Sequence, residues 1–182
     1  MQEERRARFE ALVGEVGEPL RRYLVRRTDA DSAQDVLAEA LLVLWRRLDD
    51  VPHDAALPWC YAVAGNCLAN ELRSASRRRG LVSRVGRLAP RPEVDPTPQL
   101  PDPELQDALA ALRPQDRELV MLWAWEDLPP AEIAVVLGIT TNAVHIRLHR
   151  ARARLADLLA DTDVGKSRRS AGHNKVERRA TP

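Results

Sequence analysis

Apolar residues recur along this chain at helical spacing, with polar residues filling the positions between them. Between residues 5 and 26, Phe9, Leu12, Val13, Val16, Leu20 and Leu24 mark one face of a first helix, which Pro19 is expected to kink or divide. Thr28, Asp29 and Asp31 form a polar connection suited to capping a second helix, from about 32 to 48, with Leu37, Leu41, Leu44 and Leu48 as its core stripe. Its other side carries a second stripe, Asp35, Glu39, Leu42 and Arg46. A loop punctuated by Pro52 and Pro58 leads to a third helical stretch over 59–79. There Tyr61, Gly65, Leu68 and Leu72 predict the inner face, and Trp59, Val63, Asn66, Asn70, Arg73 and Arg77 the outer one. Residues 80–103 then change character. Prolines at 90, 92, 96, 98, 101 and 103 predict an extended linker. Beyond it, Leu105, Leu109 and Leu112 start another helix. Pro114 opens the next, with apolar contacts from Leu119, Val120, Leu122 and Trp123. After Asp161 the periodicity stops, and a disordered basic tail is expected. The expectation is an all-α fold of two small helical domains joined by a Pro-rich flexible linker. Its boundaries fall at 1–79, 80–103, 104–160 and 161–182.

The densest pattern lies over 128–155. Pro129 and Pro130 suit a helix start, where a missing N–H costs nothing. Ile133, Val136 and Leu137 give that helix its apolar face. Gly138 stands where the chain must turn left-handed, and Thr140 or Thr141 caps the helix that follows. In this last helix Val144, Leu148, Ala151 and Leu155 form one buried stripe. Asn142, His145, Ile146, His149 and Arg152 are left facing outward, with Arg147, Arg150 and Arg154 on the flanks. Two helices about a glycine turn, the second basic and polar, predict a helix-turn-helix that reads the major groove.

Charge sharpens the picture. The formal net charge is only +1, but residues 73–91 hold seven arginines and no acid, and 133–155 hold four arginines and no acid. Residues 92–132 carry ten acids against two bases. Two separated basic blocks point to two contacts with a polyanion, and Arg73, Arg77, Arg78 and Arg79 are suited to phosphates. Asn66 and Asn70 can bond base edges, and Trp59 can either stack on an unpaired base or pack into the core. The two cysteines, Cys60 and Cys67, make neither a disulfide framework nor a Cys-x-x-Cys pair. His53 near them, and His145 with His149, fall short of a zinc ligand set. No metal and no cofactor is therefore expected. No apolar run approaches a membrane span and the N-terminus lacks an apolar signal region, so a cytoplasmic, non-membrane location is expected.

Together these features resemble the extracytoplasmic-function (ECF) group of RNA polymerase sigma factors, of the sigma-70 family, from Phe9 to Leu159. Ser-Ala-Gln-Asp-Val-Leu-Ala-Glu-Ala-Leu-Leu-Val-Leu-Trp-Arg at 32–46 is similar to the family's polymerase-binding helix. The resemblance implies that Asp35, Glu39, Leu42, Trp45 and Arg46 dock on the clamp-helix coiled coil of the largest subunit. Ala38 and Leu41 depart from a glutamine and a phenylalanine common there. Pro-Trp-Cys-Tyr-Ala-Val-Ala-Gly-Asn-Cys-Leu-Ala-Asn-Glu-Leu-Arg at 58–73 resembles the −10 segment, which implies −10 contacts from Trp59, Asn66, Asn70, Arg73, Arg77 and Arg78. It also implies an irregular loop near Asn66 holding one flipped-out base, at variance with a continuous helix over 59–79. Leu112-Arg113-Pro114-Gln115-Asp116-Arg117-Glu118 resembles the opening of the −35 domain. Thr141, Asn142, His145, Ile146, Arg147, His149, Arg150 and Arg152 then become the −35 contacts. His145 stands where relatives often have arginine. The linker is too short for an extra domain, and by resemblance it threads through the polymerase. The implied partners are core RNA polymerase, including its flap, and promoter DNA, with an anti-sigma factor as a further candidate.

A competing reading is a stand-alone helix-turn-helix regulator that binds duplex DNA without polymerase. An enzyme with a helix-turn-helix tail is the third class. The sequence offers no Gly-rich phosphate loop and no paired-acid constellation for it, so no catalytic residue is assigned.

Overall fold

The computed structural model describes the backbone of residues 2–85 and 102–176 and the side chains of residues 2–78 and 102–160. Among the described residues there are helices and turns and no strand. Three helices form the first unit: α1 (Gln2–Val25), α2 (Ala30–Arg46) and α3 (Ala56–Val85), with a short 3-10 turn at Leu48–Asp50. Four form the second: α4 (Pro103–Ala110), α5 (Pro114–Ala124), α6 (Pro130–Leu137) and α7 (Thr141–Val176).

Local chemistry sets the ends. The Asp29 carboxylate accepts the Ser32 N–H at 2.9 Å and caps α2, a bond that also lowers its own pKa. Asp102 accepts the N–H groups of Glu104 and Leu105 at 2.9 and 3.3 Å, and Pro103 fills the first turn of α4. Arg117 closes the other end of α4, donating at 2.8 Å to the carbonyls of both Leu109 and Ala110. α1 runs through Pro19 without a break between Gln2 and Val25.

In the first unit Leu12, Val16, Leu20 and Leu24 of α1 are buried against Val36, Ala40 and Leu44 of α2 and Cys60, Ala64, Cys67 and Leu68 of α3. The α2 core line is Ala33, Val36, Ala40 and Leu44, with Leu37 and Leu41 half-buried, so the expected leucine stripe is displaced around the helix. Small alanines at 33 and 40 sit on the face turned to its neighbours, and long leucines fill the flanks. α3 departs further. Val63, placed on the outer face by spacing, is buried, as are Cys60, Ala64 and Cys67, while Gly65 and Leu72 are half-buried. The reason is that α3 packs on both sides, against α1 and α2 and against α6 of the second unit.

Three expectations about continuity are corrected. α3 is helical straight through Asn66, with no irregular loop there. Its backbone stays helical to Val85, past the expected linker start at 80, because Pro90 is the first proline after it. α7 continues to Val176 where disorder was expected from 161; once a helix is nucleated each further residue adds a hydrogen bond, and Pro182 is the next proline. Residues 86–101 of the expected linker and 177–182 of the tail lie outside the described residues.

The second unit is built on Leu109, Leu112, Leu119, Leu122, Ile133, Val144, Leu148 and Ala151, all buried. Trp123, expected inside, is 37% exposed, and Trp125 packs on the core instead. Among the described residues no single helix is long and apolar enough to cross a membrane.

Candidate nucleic-acid interface

The helix-turn-helix is assembled from its turn. Gly138 adopts φ 62°, ψ 36°, the left-handed conformation that ends α6, and donates back to the carbonyl of Val135. A Cβ there would meet no atom, so glycine is required by backbone conformation and not by space. Thr140, of the two candidate caps, accepts the Ala143 N–H on its hydroxyl at 3.2 Å. The turn sets α7 at 101° to α6, within the range of helix-turn-helix pairs.

The expected division of α7 is present. Val144, Leu148 and Ala151 face the core, and Leu155 is half-buried. Thr141, Asn142, His145, His149, Arg150 and Arg152 are exposed, and Ile146 is 45% exposed despite being apolar. An isoleucine held out of a well-packed small domain suits contact with a thymine methyl group. Arg147 differs from its neighbours. It is half-buried and donates at 3.2 Å to both the Gln115 amide oxygen and the Asp116 carboxylate. Arg152 lies over the exposed Trp123 ring, 4.3 Å from its centroid, which pins its aliphatic stem while leaving edge donors for an anion. The Trp123 contact escaped sequence reasoning, which had counted that tryptophan as core.

On the first unit the polar line of α3 begins at Asn66, after buried Val63. Asn66, Asn70, Arg73, Arg77 and Arg78 are all exposed. Arg73 donates to the Asn70 side-chain oxygen at 2.6 Å, and Arg78 pairs with Glu71. Trp59 stands apart from this line. It is half-buried, packs against the core, and lies under the Arg47 guanidinium at 5.0 Å. Cys60 and Cys67 face the core beside these residues; burial pushes the Cys60 thiol up to about 12 and raises Cys67 as well, so both are protonated packing groups at neutral pH.

The acidic stripe of α2 is a third surface. Asp35, Glu39 and Arg46 are exposed, and Leu42 is 57% exposed, on the side opposite buried Val36, Ala40 and Leu44. Trp45 is half turned inward: its ring meets Phe9 edge-on at 5.1 Å and lies 5.4 Å under the Arg5 guanidinium. A cluster between the units was not anticipated at all. Arg26 and Arg27, after α1, meet Glu118 of α5 and Glu126 of the α5–α6 turn.

A family model described as sigma-70, region 4, matches residues 103–155. The chain is 34% identical over 172 residues to the ECF RNA polymerase sigma factor SigL of Mycobacterium tuberculosis, a match covering 87% of this chain and 92% of that protein. It is 31% identical over 140 residues to the probable RNA polymerase sigma factor RfaY of Xanthomonas campestris, covering 72% of this chain but 35% of RfaY, so it spans about a third of that relative. Among solved structures it resembles the sigma factor RpoE of Bartonella quintana, crystallised with the anti-sigma factor NepR, at TM-score 0.59 and 23% identity over 84% of this chain and 96% of that one. It also resembles CnrH, solved in complex with the cytosolic domain of CnrY, at TM-score 0.58 and 25% identity over 84% and 88%.

Proposed function

This chain belongs to the ECF RNA polymerase sigma factors, and we propose that it acts as a dissociable specificity subunit that binds core RNA polymerase, recognises −35 and −10 promoter elements and helps open the −10 region. The observation that carries this reading is a pair of separate, open, arginine-bearing faces, one on each unit: Asn66 to Arg78 of α3, and Asn142 to Arg152 of α7. A helix-turn-helix alone accounts for the second face only. In this reading α7 enters the −35 major groove, with His145, Ile146 and His149 toward base edges and Arg150 and Arg152 toward phosphates. Asn66 and Asn70 receive an unpaired −10 base, whose unstacking costs a few kcal/mol that their hydrogen bonds offset. The chain carries out no covalent chemistry of its own. Core polymerase and promoter DNA are its partners, with an anti-sigma factor as candidate regulator. The test is in vitro transcription by core polymerase with and without the chain. Promoter-specific transcripts that require it support the reading; tight footprints on duplex DNA without polymerase, and no effect on transcription, favour a stand-alone regulator.

Two residue-level outcomes follow. Asp35→Ala combined with Glu39→Ala is expected to weaken core binding by about tenfold or more while leaving the fold intact, since both side chains are exposed and no core contact is lost. A pull-down with core enzyme that retains wild-type affinity would remove the docking role. His145→Arg is expected to shift the preferred −35 sequence by about 1–3 kcal/mol at one base pair, because arginine grips guanine with two bonds and neutral histidine offers one. Arg150→Ala is expected instead to weaken all −35 sequences alike and flatten the salt dependence. Library selection with holoenzyme at two salt concentrations separates them; an unchanged preferred sequence in His145→Arg, with an altered one in Arg150→Ala, reverses the roles.

A further inference from the structure

Trp123 lies in the last turn of α5, next to fully buried Leu122, yet it is 37% exposed. A buried tryptophan removes a large apolar area from water, so a ring held at the surface forgoes much of that gain. The core is filled instead by Trp125. What covers the Trp123 ring is the Arg152 guanidinium of α7, 4.3 Å from its centroid. The packing of α5 on α7 produces this meeting. The first turn of α5 holds Arg147 through Gln115 and Asp116, each at 3.2 Å, and its last turn reaches Arg152.

Arg152 differs from the other arginines between Thr141 and Leu155. At 3.6 residues per turn it falls within roughly 20° of His145 around the α7 axis, whereas Arg147, Arg150 and Arg154 fall roughly 140° or more away. Trp123 therefore stacks on the one arginine of this segment that shares the face turned to DNA in the proposed function. Arg152 also stands roughly 10 Å further along the axis than His145. A helix that inserts its N-terminal end into a major groove about 12 Å wide has, at that distance, reached the sugar–phosphate rim.

The stack suits an anion. An unrestrained arginine samples many rotamers and loses them when it grips a ligand. Here one face of the guanidinium is held by the ring, while the in-plane N–H donors stay open at the edge. A phosphate accepts such donors in pairs. Among the described residues no carboxylate lies within ion-pair distance of Arg152, in contrast to Arg147, which pairs with Asp116.

We propose that Trp123 is a positioning residue of the −35 interface, and that its ring presents the Arg152 guanidinium to a backbone phosphate beside the −35 element. This rests on the reading of the chain as a promoter factor. Trp123 carries no sequence preference; it sets how firmly the far end of α7 is anchored.

The experiment measures binding of holoenzyme, core polymerase with the full chain, to promoter DNA carrying the −35 sequence from the library selection above. The variants are Trp123→Leu, Trp123→Phe, Arg152→Ala, and Trp123→Leu combined with Arg152→Ala. Leucine keeps apolar bulk and removes the ring face; phenylalanine keeps a face. Trp123→Leu is expected to weaken binding about three- to tenfold, the range to which ordering one long side chain corresponds. Trp123→Phe is expected to stay within about twofold of wild type. The double variant is expected to lose no more than Arg152→Ala alone, because the ring acts only through the guanidinium. Scanning the −35 flanks with uncharged methylphosphonates should find one position at which wild type and Trp123→Leu become equal. A Trp123→Leu holoenzyme that binds like wild type overturns the proposal. So does a loss shared equally by leucine and phenylalanine, or one that adds in full to that of Arg152→Ala. A fall in the melting temperature of the chain that tracks the loss of binding also overturns it, and makes Trp123 a packing residue. Wild-type transcription separates the two readings. If wild type is active and Trp123→Leu matches it, the promoter reading stands and the positioning role falls; if wild type gives no promoter-specific transcript, both fall.

Discussion

Ile133→Ala is expected to destabilise the helix-turn-helix unit by about 2–5 kcal/mol. Ile133 is fully buried in α6, in the same core cluster as Leu119, Leu122 and Val144, which are likewise fully buried. Removing three carbons leaves a cavity that the surrounding close-packed side chains fill only in part. Single small domains have about 5–15 kcal/mol of stability in total, so a loss of this size is a large fraction of it. The check is the urea midpoint of unfolding, with the slope as control for two-state behaviour. Under the proposed reading, use of the −35 element by the holoenzyme should fall in parallel, because α7 is oriented by the same core. A midpoint within experimental error of wild type would show that α6 does not anchor the turn.

Gly65→Ala is expected to cost about 1–3 kcal/mol, by a different route. A Cβ at Gly65 would stand 2.9 Å from the Tyr23 hydroxyl, closer than real contacts allow. Tyr23 has nowhere easy to go. It is buried, its ring packs on Tyr61 at 5.1 Å, and its hydroxyl is fixed by Glu118. Burial raises the pKa of this phenol, with the Glu118 carboxylate adding to the rise, so it stays a neutral donor at all physiological pH. The added methyl therefore displaces a hydrogen-bonded group and not a loose side-chain end. Tyr23→Phe in the Gly65→Ala background should recover part of the loss, since it removes the clashing oxygen. Thermal melts of the two single variants and the double measure the coupling. Strictly additive losses would mean that the clash is relieved elsewhere.

The two glycines show what a sequence can and cannot disclose. Gly138 was legible because its role is local: it follows a helix, precedes a threonine cap, and needs a left-handed φ that any reader of turns expects. Gly65 was placed on the inner face by spacing, but the reason for a glycine there, a tyrosine hydroxyl from another helix, is a fact of tertiary packing. The buried and exposed sides of α7 were legible for the same reason as Gly138, since one helix packed on one side obeys a simple period. α3 was not, because it packs on two sides and buries Val63 and Cys67 as well as Tyr61 and Leu68. The acidic stripe of α2 was visible as a pattern, but only the family resemblance gave it a meaning. The Arg27 cluster had no signal at all. Nothing near Arg27 in the sequence distinguishes it from Arg26 or Arg22, and its partners lie about half the chain away.

The covalent join between the units changes what the Arg27 contact must achieve. Because residues 86–102 tether α4 to α3, closure is intramolecular, and a tether of this length holds one unit near the other at an effective concentration on the order of millimolar. A contact with a dissociation constant of about 1 mM, only about 4 kcal/mol, would already leave the chain half closed. Tether length matters little, because doubling the loop costs only about 0.6 kcal/mol. Severing the chain in that segment matters much more: at micromolar protein the two halves would meet about a thousandfold too rarely to stay together.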